Sequence, residues 1–245
     1  MKKELHYLSI FIILFYSLCL SVNAQVEYDF ESDTAGNAAA DVNTVQGTTV
    51  VSNYTENAST SKGLEMTEFG LGVNYASATL DNFPSTQDYS VTWKQTISFA
   101  NGSRTGVILR THGASRFPTI PQGYLFRVSA HTRSDWQHLQ IIRYEPDGAA
   151  TGSVALGTAN LTRQVTDQPR WYRATVNGSS LIFEYSDNGD DANPTWITHL
   201  TATDATYQNV SGGTMFMQGF QAPIANTFFD DIQYNEVLPL SLIHI

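Results

Sequence analysis

Trp171 to Trp196, with the sequence WYRATVNGSSLIFEYSDNGDDANPTW, is the stretch of this 245-residue chain that decides the fold. The side chains before and after Asn177-Gly178 alternate with a period of two, as they do on a β-strand with one buried face. Asn-Gly readily adopts the positive φ angles of a tight turn. The stretch therefore predicts a β-hairpin, followed by a turn-rich segment that leads to Trp196.

The remainder of the chain repeats this pattern. From Gln25 onward, short strand-like runs alternate with turns rich in Gly, Asn, Asp, Ser and Pro, and no stretch keeps a 3.6-residue apolar period. The clearest run is Tyr89 to Phe99, whose apolar face is interrupted only by Gln95. About a dozen such runs, with turn signals about every 8 to 12 residues, predict an all-β protein built as an antiparallel two-sheet β-sandwich.

The order of motifs in the hairpin resembles that of a known family. Trp171, Val176-x-Gly178, an apolar strand, Ser186-Asp187-x-Gly189 and Trp196 together are similar to the late hairpin of concanavalin A-like jelly rolls. That family includes laminin-G-like and lectin-like modules and the laminarinase-type glucanases. The resemblance covers residues 25–236 and implies a single concanavalin A-like jelly-roll domain with a polysaccharide or glycan as its partner.

Residues 1–24 are predicted to be a secretory signal peptide. Two lysines precede an apolar run from Leu8 to Leu20, and Val22-Asn23-Ala24 offers a small-residue cleavage site. The run is short for a membrane-spanning helix, which needs about 20 apolar residues. Cleavage after Ala24 also removes Cys19, the single cysteine. We therefore expect a secreted mature chain with no disulfide and no membrane insertion.

Residues 237–245 are predicted to lie outside the domain. Leu240 to Ile245 reads as the translation of the end sequence of a transposon-based sequencing adapter. Val237-Leu238-Pro239 resembles the linker before the C-terminal sorting domain of bacterial proteins exported by type IX secretion. On this interpretation the segment is a truncated linker with an adapter-derived tail, and the chain is the front part of a longer secreted protein.

The charge of the chain disfavours two classes of partner. Without residues 1–24, the 13 basic and 23 acidic residues become 11 and 22, which gives a net charge of −11. Phosphate groups are bound by clustered positive charge. Nucleic acids and anionic membrane surfaces are therefore poor partners for this protein.

The compact catalytic motif of the family's glucanases is absent. That motif, Glu-x-Asp-x-x-Glu, places two carboxyl groups on one strand face, and retaining glycosidases hold such groups about 5 to 5.5 Å apart. Here Glu184 stands alone in its strand, and neither a Tyr-x-Lys-x-Gly motif nor a Gly-x-Ser-x-Gly elbow occurs. The sequence favours a binding module of a larger polysaccharide-degrading or adhesive protein. A hydrolase or lyase with a non-standard site at Glu184 or Asp187, or a surface module without a sugar ligand, are the alternatives.

Acidic residues near the two chain ends suggest a metal site. Members of the resembled family hold a structural calcium between an early acidic residue and an aspartate two residues before an apolar residue of the last strand. Asp230 stands in that relation to Ile232. The resemblance implies a calcium ion held by Glu31, Asp230 and Asp231, because an inward-facing carboxylate is costly unless it is paired or metal-bound. The alternative is that Asp230 caps a strand end in contact with water.

Arginines on three successive predicted strands suggest a ligand face. Arg110, Arg127 and Arg143 each stand in apolar surroundings, and alternation predicts that they share one sheet face. Arginine makes charge-assisted hydrogen bonds to carboxylates, and planar side chains stack on pyranose rings. The alternative is that the arginines pair with Asp or Glu. The predicted glycan-binding residues are Arg110, Tyr124, Arg127, Trp136, Arg143 and Tyr144.

Overall fold

A computed structural model describes the chain from Val26 to Val237. Within these bounds it does not describe residues 68–74, 82, 84, 98–103, 116–119, 131–135, 150–151, 163, 165–167, 190–192 and 220–226. The predicted signal peptide and residues 238–245 lie outside the described residues, so both interpretations stay predictions. No helix in the described part is long and apolar enough to cross a membrane.

Fifteen strands and one short 3-10 turn, Phe30–Ser32, make up the regular structure of the described residues. The strands in chain order are β1 (Val26–Tyr28), β2 (Val42–Gln46), β3 (Thr48–Glu56), β4 (Ser59–Thr67), β5 (Tyr75–Leu80), β6 (Tyr89–Ile97), β7 (Arg104–Ala114), β8 (Pro121–Ala130), β9 (Trp136–Tyr144), β10 (Ser153–Thr162), β11 (Arg170–Asn177), β12 (Ser180–Ser186), β13 (Ile197–Thr203), β14 (Gly213–Gly219) and β15 (Thr227–Glu236).

The strands form two antiparallel sheets. The eight-stranded sheet has the order β13-β12-β11-β6-β15-β4-β3, and β1 also pairs with β15. The seven-stranded sheet has the order β10-β9-β8-β7-β14-β5-β2. The first described strand, β1, thus pairs with the last, β15. The predicted all-β, two-sheet antiparallel sandwich is confirmed.

The hairpin predicted around Asn177 is formed by β11 and β12. Trp171 pairs with Ser186 and Asn177 with Ser180, so the loop consists of Gly178 and Ser179. Gly178 has a φ of 53°, as the first central residue of a type II′ turn requires. The turn thus lies one residue later than the Asn-Gly pattern predicts.

Aromatic side chains from both sheets fill the core. Trp93 of β6 stacks on Tyr172 with ring centroids 5.6 Å apart, and Phe183 lies 6.1 Å from Trp93. Phe126, on the facing sheet, meets Phe183 edge-on at 5.5 Å. Such aromatic pairs add about 0.5 to 1.5 kcal/mol each beyond the area that they bury. This central cluster packs the inward faces of β6, β11, β12 and β8 together.

Gln95, which interrupts the apolar face of β6, makes a polar link between the sheets. Its side chain is fully buried. The amide oxygen accepts a hydrogen bond from Trp93 Nε1 at 3.0 Å, and Nε2 donates to Thr105 Oγ1 of β7 at 2.8 Å. A buried amide is tolerated in a core when its donors and acceptors have partners.

Arg110 is a buried arginine at one end of the sandwich. A β-bulge separates Leu109 from His112 in the pairing of β7 with β8, and Arg110 has a φ of 54°. The bulge breaks the strand alternation at this residue. As a result the side chain turns into the protein, where it is 0% exposed.

The Arg110 guanidinium connects the two sheets. Its Nε donates to the carbonyl of Gln87 at 2.7 Å and its Nη2 to the Asp88 carboxylate at 3.0 Å. Its Nη1 donates to the carbonyls of Gly178 at 2.8 Å and Tyr207 at 3.2 Å. Gln87 and Asp88 directly precede β6, and Gly178 connects β11 to β12, so these partners adjoin the eight-stranded sheet. A single side chain of β7, in the other sheet, therefore links the ends of both sheets.

A second charged cluster lies on the outward face of the eight-stranded sheet. The Lys94 ammonium lies 2.7 Å from Asp231, 3.2 Å from Glu56 and 3.4 Å from Asp230. The Tyr54 hydroxyl lies 2.7 Å from a Glu56 oxygen and 2.8 Å from an Asp230 oxygen. A phenol has one proton to donate, so both contacts are favourable only when one of the two carboxyl groups is protonated.

The Asp230 carboxyl group is the better candidate for this proton. Burial, and next the charge of Asp231, raise the pKa of Asp230 to about 6, although Lys94 opposes the shift. Burial lowers the pKa of the Lys94 ammonium, but the nearby carboxylates more than offset this, so that its pKa is raised. Lys94 therefore stays charged across the pH range in which Asp230 titrates.

We expect Arg110→Ala to lower the melting temperature by about 10 °C. Removing one partner of a buried ion pair costs about 3 to 5 kcal/mol. For a domain of this size, about 1 kcal/mol corresponds to about 2 to 4 °C. Thermal unfolding followed by circular dichroism measures the shift. Arg104→Ala is the matched control, with an expected change of less than about 2 °C, and equal melting temperatures for Arg110→Ala and the parent would contradict the role of Arg110.

The raised pKa of Asp230 also predicts a pH dependence. Between pH 3.8 and about 6 the folded protein holds a proton that the unfolded chain has lost, so the free energy of unfolding decreases as the pH rises through this window. Asp230→Asn removes this contribution. Relative to the parent, the variant should gain up to about 3 kcal/mol of stability between pH 4 and pH 7. Urea unfolding at several pH values tests this, and parallel curves would contradict it.

Candidate functional site

Charge is distributed unequally between the two sheets. The strands of the seven-stranded sheet contain Arg104, Arg110, Arg127 and Arg143 but, within their described bounds, no Asp or Glu. The strands of the eight-stranded sheet contain several carboxylates, among them those around Lys94. In a chain with a net charge of −10, the seven-stranded sheet is thus a local region of positive charge.

The prediction that Arg110, Arg127 and Arg143 share one face is wrong. Arg127 pairs with Gln140 across β8 and β9, whereas Arg143 pairs with Tyr124. Neighbouring residues in register lie on the same face, so Arg127 and Arg143 lie on opposite faces of the sheet. Arg110 points to the end of the sandwich because of its bulge. Alternation within a strand cannot reveal the register between strands, which is why the sequence pattern failed here.

Arg143 and Tyr124 belong to a network around Asp204. Arg143 donates to Glu145 at 2.6 and 2.9 Å, to the hydroxyl of Thr206 at 2.9 Å and to Asp204. The buried Tyr124 hydroxyl donates to Asp204 at 2.9 Å. Two carboxylates thus neutralise Arg143. A ligand role for Arg143 and Tyr124 stays a prediction. The observed contacts of Arg143 agree with the alternative, in which the arginines pair with acidic residues.

Arg127 lies on the face of the seven-stranded sheet that points away from the sandwich core. Its Nε donates to the amide oxygen of Gln140 at 2.9 Å, and Gln140 Nε2 donates to the Thr158 hydroxyl at 3.2 Å. A second row, next to this one, runs from Arg104 through Ser129 to the outer strand β10. We call these two cross-strand rows the polar strip; its residues are Arg104, Arg127, Ser129, His138, Gln140, Thr158 and Asn160.

Arg104 and Arg127 lie close enough for their charges to interact. Burial, and next the charge of Arg104, lower the pKa of the Arg127 guanidinium. In the described part of the chain, neither arginine forms an ion pair with a carboxylate. Arg104 and Arg127 therefore lie on adjacent cross-strand rows as like charges that the described residues do not compensate. Such an arrangement favours an anionic group between them.

Tyr144 lies beside this pair of charges. Burial raises the pKa of its hydroxyl, which also interacts with Arg127, Tyr75 and Arg104. Tyr144 belongs to a second apolar cluster, on the same face as the polar strip; its members are Tyr75, Ile108, Ile120, Leu125, Ile142, Tyr144, Met215 and Met217. The face thus combines an apolar half with a more accessible polar half. Trp136 begins β9, but its side chain lies outside the described residues.

Sequence reasoning missed Arg104 and Gln140. Arg104 lies just before the run from Gly106 that the pattern predicts as a strand, and β7 in fact begins at Arg104. Gln140 lies opposite Arg127 through strand register. A predicted strand that began at Arg104 would have included this residue. No pattern within a single strand could have identified Gln140.

Asp230 also faces a direction that the sequence pattern did not predict. A β-bulge follows Asp230 in its pairing with β6, and Asp231 has a φ of 45°. Phe229 and Ile232 consequently lie in the core, while Asp230 does not share a face with Ile232. Its buried carboxyl group instead meets Lys94.

Glu31, Asp230 and Asp231 do not fit a calcium ion as they are arranged. The Glu31 carboxylate accepts hydrogen bonds from Ser61 and from the Lys62 N–H at 2.8 Å. The Lys94 ammonium already provides the positive charge at the two aspartates. Among the described residues no group of three His, Cys, Asp or Glu side chains could hold a metal ion. Calcium therefore stays an expectation from the resemblance, without support from these three positions.

No model of a known protein family matches the chain, and no curated protein matches it either. Solved structures do match its fold. The legume lectin-like domain from Entamoeba histolytica aligns with a TM-score of 0.51 and 12% identity, over 81% of this chain and 91% of that domain. The lectin from Bauhinia forficata, in complex with GalNAc, aligns with a TM-score of 0.50 and 9% identity, over 87% and 98%.

The exoplasmic/lumenal domain of VIP36 is similar in the same way. Its form bound to Ca²⁺ and Man3GlcNAc aligns with a TM-score of 0.54 and 10% identity, over 89% of this chain and 91% of that domain. Its metal-free form also aligns with a TM-score of 0.54, so the similarity in fold does not depend on the metal. These comparisons show that the chain has the jelly-roll sandwich fold of legume lectin-like and concanavalin A-like proteins.

Proposed function

We propose that the protein is a secreted carbohydrate-binding module whose polar strip binds a polysaccharide that carries carboxylate or sulfate groups. One observation carries the proposal: Arg104 and Arg127 lie close together, with no ion-pair partner among the described residues, on a sheet whose strands contain no described carboxylate. The module would be part of a larger polysaccharide-degrading or adhesive protein.

The chemistry of the polar strip suits an anionic sugar. Guanidinium groups bind carboxylate and sulfate oxygens through two parallel hydrogen bonds. Gln140 and Thr158 continue the row across two further strands and could bond the hydroxyls of a sugar chain laid across them. An anion at Arg127 would also offset the repulsion from Arg104. The strip therefore offers both charge for recognition and length for an extended polymer.

The fold is compatible with this proposal. Two solved lectin-fold structures were obtained with Man3GlcNAc and with GalNAc. Fold alone does not fix a ligand, so the argument for this chain rests on its own arginines. The neighbours add only that such a sandwich can bind glycans.

Hydrolysis at Glu184 or Asp187 has little support from the side-chain contacts. Glu184 accepts a hydrogen bond from Arg173 Nε at 2.6 Å, and Asp187 accepts one from Arg170 Nε at 2.6 Å. Both carboxylates belong to the β12 end of the eight-stranded sheet rather than to the polar strip. A general acid in a glycosidase instead needs a raised pKa and a second carboxyl group at a defined distance.

Binding to anionic polysaccharides tests the proposal. On an array of alginate, polygalacturonate, chondroitin sulfate and carrageenan, with neutral mannan and laminarin beside them, the protein should bind one or more of the anionic polymers. Arg127→Ala and Arg104→Ala should each weaken that binding about tenfold or more, since one charge-assisted hydrogen bond contributes about 1.5 to 3 kcal/mol. Raising the salt concentration should weaken binding as well.

Lys62→Gln is the matched control, because it removes one positive charge from the eight-stranded sheet. It should bind like the parent. Undiminished binding by both arginine variants would move the ligand face elsewhere. A blank array with well-folded protein would favour a surface module without a sugar ligand, and release of shortened products would favour an enzyme.

A further inference from the structure

A pocket lies on the outward face of the eight-stranded sheet, on the opposite side of the sandwich from the polar strip. Its volume is about 240 Å³. The residues that matter for the argument are two tryptophans, one arginine and three amides: Trp171, Trp196, Arg173, Asn193, Gln233 and Asn235. Most of these side chains do not contribute to the core, because the core is filled by the alternate residues of the same strands, which face inward.

Strand alternation and one loop build this pocket. Trp171 and Arg173 point outward from β11, since Tyr172 between them is buried in the core. Trp196 lies directly before β13, and the Arg173 Cζ lies 4.3 Å from the centroid of its ring. An aromatic ring thus lies beside a polar part of the sheet.

The charge in this pocket is already balanced. Arg173 Nε donates to Glu184 at 2.6 Å, and Glu184 also accepts a hydrogen bond from Thr198 at 3.2 Å. The other polar groups named above are amides, which carry no net charge and both donate and accept hydrogen bonds. Unlike the polar strip, the pocket therefore has no uncompensated charge among its described residues that would attract an anion.

Trp171 adds an observation that points to a ligand. The residue is 5% exposed, and its indole N–H has no acceptor among the residues that the structure describes. A buried donor without a partner is unfavourable, and native proteins rarely retain one. A ligand oxygen that reached this N–H would supply the missing acceptor.

We propose that this pocket is a second glycan-binding site, which takes one uncharged pyranose residue. The C–H face of a sugar packs on the indole of Trp196, and its hydroxyls, each both donor and acceptor, match the amides of Asn193, Gln233 and Asn235. The volume suits a single sugar unit rather than a chain. The proposal goes beyond the anionic site, and it gives the module two glycan contacts on opposite sheets.

Two such sites would let one module contact two glycan chains. Because the sites lie on opposite sides of the sandwich, a short oligosaccharide cannot occupy both at once. Their chemistry also separates them: the polar strip should respond to salt, whereas the tryptophan pocket should not. This difference allows each site to be measured in the presence of the other.

Titration with neutral hexasaccharides of mannan, laminarin, cellulose, xylan and galactan, followed by tryptophan fluorescence and calorimetry, tests the pocket. At least one should bind the parent, with an affinity unchanged between 0.05 and 0.5 M NaCl. Trp196→Ala should weaken this binding tenfold or more, and Trp196→Phe less. Asn235→Leu, which retains both tryptophans, should also weaken this binding. This second variant keeps the test valid if Trp196→Ala does not fold.

The matched control is Arg127→Ala, which should bind the neutral hexasaccharide like the parent. Trp196→Ala should conversely keep the binding of anionic polymers, so failure at one site is distinguishable from failure at the other. Undiminished binding by a folded Trp196→Ala would overturn the proposal. So would a complete lack of binding to the five neutral probes.

Discussion

The buried guanidinium of Arg110 holds together segments that the rest of the sandwich depends on. It reaches from β7 to the chain entering β6, to the β11–β12 turn and to the carbonyl of Tyr207. Three of its four contacts go to backbone carbonyls, so the link specifies where the main chain runs rather than which side chains are present. Apolar contacts are not directional, whereas the planar guanidinium group fixes the directions of its hydrogen bonds. Arg110 therefore helps to fix the relative position of the two sheet ends.

Charge is segregated between the two sheets. Loop carboxylates such as Asp88 and Asp204 compensate Arg110 and Arg143, and the described strands of the seven-stranded sheet contain no acidic residue. Arg104 and Arg127 then remain as the local charge on its outward face. On the other sheet, Lys94 sits among three carboxylates. An acidic protein can thus present a basic face, because its negative charge is concentrated elsewhere.

Much of the fold could be predicted from the sequence because strand alternation is a local property. The β11–β12 hairpin and the buried face of β6 required only the order of residues within one strand. The structure adds β2 and a β3–β4 hairpin whose turn residues Asn57 and Ala58 both have positive φ. An Ala in that conformation gives no sequence signal, since it is rarely found there.

The candidate sites could be predicted only in part, because they depend on bulges and register. One bulge turned Arg110 inward, and another separated Asp230 from the face of Ile232. Register between strands brought Gln140 to Arg127. These are long-range outcomes of packing, which a single strand does not encode.

Residues on the outward face of a sheet are not selected by core packing. An unusual residue at such a position can therefore indicate a function. Along β11, the inward residues Tyr172, Ala174 and Val176 are explained by packing alone. Small polar residues would serve at the outward positions, as Thr92 does on the neighbouring strand. Trp171 is instead a large aromatic residue whose donor has no partner among the described residues, and a second tryptophan, Trp196, lies against Arg173 of the same face. Folding does not require this combination, and the proposed recognition of a sugar ring would give it a physical reason.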